Sequence, residues 1–134
     1  MSMTLADAQK LIAAAQEKAA SIGVKITVAV VDEGAHLVAL SRMDGANAMS
    51  PAIAQGKAAG AALFRRDGAW LLSTANDRQA FWNAVKGMAG QDIVPGPGSL
   101  PIMRDGVAIG AIGVSGAAPG EDLACAEEAV ASLA

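Results

Sequence analysis

Apolar residues recur at helical spacing through the first 22 residues of the chain. Thr4 is a capping residue, Asp7 follows it by three positions, and Gly23 is a natural stop. Together these features predict a helix over 4–22. The run of β-branched residues that comes next, 24–31, predicts a strand.

Short apolar runs separated by tight turns predict two antiparallel hairpins. Residues 37–42 pair with the first strand, and Gly34 in the turn between them has the freedom to take a positive φ. Further along, residues 100–104 and 107–115 are joined by an Asp-Gly pair, which is a strong two-residue hairpin turn. A further short strand is predicted over 92–94.

A helix rich in small residues is predicted over 50–64. Ser50 is interpreted as its N-cap, and Pro51 takes the first helical position. Gly56 and Gly60 are four residues apart and so lie on one face of the helix. Because charged residues lie within and just after this helix, we expect a soluble helix whose small face packs tightly on a neighbouring segment.

The remaining segments complete an α+β pattern. A short helix falls within the less regular stretch 65–77, a longer one is predicted over 78–88, and a closing helix is predicted over 119–133. Gly110 and Gly113 inside the last strand cost stability unless another backbone or a ligand approaches closely. Strands joined by tight turns and segregated helices predict an antiparallel sheet covered by helices.

Composition and charge narrow the class of protein. With 134 residues, 53% hydrophobic and 17% charged, the chain suits one folded domain over 1–134. A net charge of −3 and scattered basic residues argue against a nucleic-acid partner. No apolar run is long enough to span a bilayer, so no membrane partner is expected. No signal peptide is recognised. The single cysteine, Cys125, is expected to be a small buried hydrophobe, and a cytoplasmic location is predicted.

The single histidine, His36, directly follows the first predicted turn, where its side chain can reach solvent. An imidazole there can ligate haem iron or act as a general acid or base. The alternative is an exposed turn histidine with no role. One histidine and no cysteine pair exclude a tetrahedral zinc site, whereas haem needs only one protein ligand. Asp32, at the end of the first strand, is interpreted as a cap of its own turn.

Three further charged residues are candidates for binding or catalysis. Arg42 ends the second strand, Asp44 lies in the following turn, and Lys57 lies among small residues on a helix. Arg42 and Lys57 are interpreted as contacts for carboxylates such as haem propionates. The alternatives are a local ion pair between Arg42 and Asp44 and a lysine that extends along the surface to solvent.

Several segments occur together in a characteristic order: VAVVDEGAHLVALSRMDGA, AQGKAAGAALF, PGPGSLPI, and GVAIGAIGVSG followed by GEDLACAEEA. In this combination the chain resembles the GlcG/HbpS family, which includes the C-terminal domain of PduO-type proteins. The resemblance implies a profilin-like α+β domain with a five-stranded antiparallel sheet and helices packed on it. It also implies assembly into homo-oligomers, and haem or iron binding in some members. It makes His36 a candidate haem contact and places Arg42, Asp44 and Lys57 on family motif positions.

Two departures from the family pattern shape the functional hypothesis. The PGPGSLPI loop carries an additional proline and residue, and the chain lacks the export signal and additional histidines of the secreted haem binder. The leading hypothesis is a cytoplasmic small-ligand-binding protein for haem or a related tetrapyrrole. One alternative is a cofactor-free isomerase, tautomerase or lyase acting on a small carboxylate or carbonyl compound, in which Arg42 and Lys57 bind the anion and Asp44 or His36 moves the proton. Another is an oligomeric accessory protein of a metabolic operon.

Overall fold

The computed structural model describes residues 2–134. Met1, the first residue of the predicted domain, lies outside that range. The elements in chain order are α1 (Leu5–Ser21), β1 (Thr27–Asp32), β2 (Leu37–Arg42), α2 (Ser50–Phe64), α3 (Gly68–Asp77), α4 (Gln79–Lys86), β3 (Ser99–Arg104), β4 (Val107–Ser115) and α5 (Pro119–Ser132). Within 2–134, no helix combines the length and the apolar character that crossing a membrane requires.

The four strands form one antiparallel sheet in the order β2-β1-β4-β3. Both predicted hairpins are present, as β1 with β2 and as β3 with β4. The central strands join them, with Thr27 opposite Ser115 at one end and Asp32 opposite Gly110 at the other. The turn between β1 and β2 therefore lies at the Asp32 end of the sheet, and Arg42 lies at the Thr27 end.

Helices cover both faces of this sheet. On one face, α1 and α5 pack over the apolar side chains of the central strands. The buried members of this core include Leu11, Ile12, Val28, Val30, Ile112, Val114 and Cys125. On the other face, α2 lies against alanines of β1 and β4. The α+β class with an antiparallel sheet and packed helices is confirmed, as is the burial of Cys125, whose thiol pKa is raised by desolvation.

Small residues let α2 lie unusually close to the sheet. A Cβ added at Gly113 would meet the carbonyl oxygen of Ala54 and would lie 2.6 Å from the backbone nitrogen of Ala58. The sequence left open whether a backbone or a ligand approaches this strand glycine, and the structure shows a backbone. The contact brings the middle of α2 directly over β4.

The prediction of a fifth strand was wrong for the described residues. The segment 92–94 lies beside α2, and the backbone N–H of Val94 donates to the carbonyl oxygen of Gly56 at 3.1 Å. A Cβ added at Gly56 would lie 2.6 Å from Cγ2 of Val94, and one at Gly60 would lie 2.8 Å from Cγ2 of Ile93. The segment thus bonds to a helix instead of a sheet edge. The same contacts confirm that the glycine face of α2 packs tightly on a neighbouring segment. The profilin-like shape stays a prediction.

The start of α2 also differs from the prediction. The N-cap is Met49, which makes no side-chain cap, and Ser50 is the first residue of the helix. The Ser50 hydroxyl donates to the carbonyl oxygen of Asn47 at 2.7 Å and lies 2.7 Å from the hydroxyl oxygen of Thr27. The serine therefore ties the start of α2 to β1, and the carboxamide oxygen of Asn47 accepts the Met49 N–H at 3.1 Å.

Candidate functional site

The turn between β1 and β2 is organised by one carboxylate. Oδ1 of Asp32 accepts the backbone N–H of Gly34 at 2.9 Å and that of His36 at 2.9 Å. The backbone N–H of Asp32 donates to the carbonyl oxygen of His36 at 2.9 Å, which closes the turn. The interpretation of Asp32 as a cap of its own turn is confirmed.

The left-handed residue of this turn is Ala35, with a φ of 65°, and not Gly34 as predicted. Ala35 is buried against the α2 side of the sheet. The glycine serves a different purpose. A Cβ at Gly34 would lie 2.9 Å from Cε1 and 3.0 Å from Nδ1 of His36. The absence of a side chain at position 34 therefore leaves room for the imidazole to lie back over the turn.

His36 presents its ring to solvent, as predicted. Its side chain is 81% exposed, while that of Asp32 is 26% exposed. Nδ1 faces Oδ1 of Asp32 at 3.2 Å. Because the carboxylate takes Nδ1, Nε2 is the nitrogen left for a partner from solution. The next residue, Leu37, is 46% exposed and supplies an apolar side chain at the start of β2.

The donor set at this turn is one imidazole backed by one carboxylate. Residues 2–134 contain no group of three or more His, Cys, Asp and Glu side chains that could hold a metal ion. Haem brings the nitrogen ligands of its own ring and needs one axial ligand from the protein. A metal-ligating imidazole usually donates its second ring N–H to a carboxylate, a backbone carbonyl or water.

Arg42 and Asp44 lie at the far end of β2 from His36. The Arg42 guanidinium donates to the carbonyl oxygen of Ala46, from Nε at 3.1 Å and from Nη2 at 2.7 Å. In the described part of the chain it forms no ion pair with Asp44, which is exposed, so that alternative was wrong. The arginine instead closes the turn in which Gly45 has a φ of 86°.

Lys57 is buried, with 8% of its surface exposed, so the alternative of a lysine that extends along the surface to solvent was wrong. Its Nζ donates to the carbonyl oxygen of Val114 at 2.9 Å and to Oδ2 of Asp122 at 3.3 Å. The other carboxylate oxygen of Asp122 accepts the backbone N–H of Ala117 at 3.0 Å. Burial raises the pKa of Asp122, and the nearby lysine and the Ala117 N–H act in the opposite direction.

Asp122 is the charged partner that the sequence did not identify. It lies in the first turn of α5, 65 positions from Lys57 in the chain. The signal available was a lysine surrounded by alanine and glycine, since a buried cation requires a carboxylate or carbonyl partner. Nothing in the local pattern indicates which of the acidic residues supplies that partner.

The structure does not bring His36, Arg42 and Lys57 together. His36 and Arg42 lie at opposite ends of the six-residue strand β2. At roughly 3.3 Å per residue, their backbones are about 20 Å apart. Lys57 is held at Val114, which pairs with Val28 towards the Arg42 end of the sheet. The exposed histidine turn and the buried ion pair are therefore two separate features.

Comparison with known proteins places this architecture in a family. A family model described as "Haem degrading protein HbpS-like" matches residues 3–131. Protein GlcG of Escherichia coli strain K12 is 39% identical over 109 residues, which cover 81% of this chain and 77% of the relative. The crystal structure of Klebsiella pneumoniae protein ORFY has a TM-score of 0.88 at 32% identity, covering 97% of this chain and 89% of that one. A crystal structure of a PduOC–heme complex has a TM-score of 0.88 at 26% identity, covering 98% and 95%. The resemblance seen in the sequence segments is confirmed, and the chain belongs to the HbpS-like family.

Proposed function

We propose that this protein binds a small molecule, haem or a related tetrapyrrole, with His36 as the iron ligand. The observation that carries the proposal is the exposed imidazole, whose Nδ1 lies 3.2 Å from a carboxylate oxygen of Asp32. An outward Nε2 backed by a carboxylate is suited to ligate iron. The family description, which names haem, and the heme complex of the PduOC relative support the same choice of ligand.

The proposed haem site leaves out two residues that the sequence suggested for the propionates. Arg42 lies about 20 Å from His36 along β2 by the rise of a strand, and its guanidinium already bonds to the Ala46 carbonyl. Lys57 is buried against Asp122. The proposed site therefore uses neither cation for the propionates.

The test is a haem titration of the purified metal-free protein, followed by the Soret band. We expect the unmodified protein to give a sharp stoichiometric band and His36→Ala to lose it. Arg42→Ala is the matched control, since it removes a charged side chain at the other end of the same strand and should bind as tightly as the unmodified protein. A band that survives in His36→Ala would overturn the proposal.

No specific observation favours the two alternatives, a cofactor-free enzyme and an oligomeric accessory protein. The cofactor-free enzyme would need Arg42 and Lys57 around one substrate anion, with Asp44 or His36 to move the proton, and Lys57 is instead buried beside Asp122. The small-residue face of α2 is occupied within the fold by Ile93 and its neighbours, so it offers no assembly surface. The homo-oligomer and the cytoplasmic location stay predictions, of which sedimentation equilibrium checks the first.

A further inference from the structure

We propose that Asp32 is a positioning residue, which holds the Nδ1–H tautomer of His36 and so aims the Nε2 lone pair away from the protein. This inference rests on the proposed function, since the choice of tautomer matters most where Nε2 ligates iron. It concerns the protein before any ligand is bound, and it can be tested there.

The carboxylate is fixed in place by the backbone of its own turn. Two backbone N–H groups, from Gly34 and His36, each donate to Oδ1 of Asp32 at 2.9 Å. The imidazole Nδ1 is the third group at the same oxygen, at 3.2 Å. The oxygen is therefore held at one point of the turn by main-chain bonds, and its third partner is the exposed ring.

The acceptor oxygen of Asp32 determines which ring nitrogen carries the proton. An ionised carboxylate accepts hydrogen bonds and donates none, so it favours the tautomer with the hydrogen on Nδ1. The imidazole of histidine in water prefers the other tautomer, with the hydrogen on Nε2. Asp32 thus reverses the preference of the ring, and Nε2 keeps a lone pair that a metal can take. A carboxylate behind an imidazole also raises its basicity as a ligand.

Gly34 makes this contact possible and provides a way to break it without touching the carboxylate. A Cβ at position 34 would lie 2.9 Å from Cε1 and 3.0 Å from Nδ1 of His36. Because the ring is 81% exposed, Gly34→Ala should swing it outward and leave the fold intact. The neighbouring acid, Glu33, is exposed and accepts from the hydroxyl of Ser2 at 2.6 Å, so Glu33→Gln is a matched control for charge.

The first measurement is the pair of imidazole ¹⁵N chemical shifts in the haem-free protein, at a pH where the ring is neutral. His36 is the only histidine, so its signals need no assignment. We expect Nδ1–H in the unmodified protein and in Glu33→Gln, and a change to mainly Nε2–H in Gly34→Ala. An Nε2–H ring in the unmodified protein, or the same tautomer in Gly34→Ala, would overturn the inference.

The second measurement is haem affinity and reduction potential in Asp32→Asn, which keeps the acceptor oxygen but removes its charge. We expect haem binding about 10- to 100-fold weaker than in Glu33→Gln and a more positive potential, because the axial ligand donates less electron density. Equal affinity and potential in the two variants would contradict a role for the charge. If the ring shows the Nδ1–H tautomer but the unmodified protein binds no haem, the proposed function fails while the positioning by Asp32 stands.

Discussion

Lys57 and Asp122 are the charged side chains that the described fold buries. Each supplies the opposite charge that compensates the burial of the other. Removing one partner of a buried pair leaves an uncompensated charge, which typically costs 3–5 kcal/mol. Lys57→Met should therefore lower the free energy of unfolding by about 3 kcal/mol or more. Chemical denaturation at neutral pH measures this loss. The double variant Lys57→Met with Asp122→Leu should recover most of it, because no charge remains buried. A single variant as stable as the unmodified protein would contradict the coupling.

The same pair gives a pH dependence whose sign follows from the raised pKa of Asp122. When the folded pKa lies above the unfolded one, the folded state binds more protons across the interval between them. The contribution of Asp122 is then most favourable below the unfolded value of about 3.9, and it falls as the pH rises through the folded pKa. In Lys57→Met the fall should be larger and continue to higher pH, since the lysine no longer opposes the effect of desolvation on the Asp122 pKa. Unfolding curves from pH 3 to 7, roughly the range over which a carboxyl shifted upward titrates, measure the total loss in each protein and the pH at which it ends.

At the scale of elements, a close backbone contact joins α2 to β4 at Gly113. An added Cβ there meets the α2 backbone at Ala54 and Ala58. Since backbone cannot move aside as a side chain can, Gly113→Ala should destabilise the fold by at least about 2 kcal/mol. Gly120, in the first turn of α5, is the control, because a Cβ there meets nothing within 4 Å. Gly120→Ala should be neutral or slightly stabilising. Equal stabilities of the two variants would contradict this account of the packing.

A second link between elements is the ion pair that joins α1 to the β3–β4 hairpin. Asp7 accepts from Nη1 and Nη2 of Arg104 at 2.9 and 3.1 Å. The Arg104 hydrogen bonds, helped by Thr4, lower the pKa of Asp7 to about 2. A lowered folded pKa contributes stability above the unfolded value, and that stability is lost as the pH falls from about 4 to about 2. Asp7→Asn should remove this acid-sensitive part of the unfolding free energy, whereas the exposed Glu17→Gln on the same helix should keep it. An unchanged acid limb in Asp7→Asn would refute the link.

The local pattern predicted the elements well and predicted their partners poorly. Periodicity, caps and turn residues act over a few positions, so both hairpins and the main helices follow from the sequence. The conformation of residues 92–94 depends on Gly56, which is distant in the sequence. Its carbonyl oxygen accepts the Val94 N–H. No local signal reports such a partner, and a short apolar segment was therefore assigned to the sheet.

The candidate site divides in the same way. Asp32 and His36 are four positions apart, so their turn and the exposure of the ring could be predicted from neighbouring residues. Lys57 and Asp122 meet only because α2 crosses the sheet and α5 begins beyond the end of β4. The family resemblance placed Lys57 on a motif but could not say whether it is exposed. In the fold, Lys57 is buried.

At the scale of the whole molecule, the His36 turn projects from a sheet that helices cover on both faces. Such a scaffold should gain stability when a ligand binds only its folded state. At a free haem concentration 100 times Kd the gain is about 2.7 kcal/mol, which corresponds to a rise in Tm of roughly 10 °C for a chain of this size. Differential scanning fluorimetry or calorimetry with and without haem measures the shift. Arg42→Ala should show the same rise, and His36→Ala should show none, although its Tm without haem should match that of the unmodified protein because the ring is exposed. An equal rise in His36→Ala would mean that haem binds elsewhere on the fold, and no rise in the unmodified protein would mean that its ligand is another molecule.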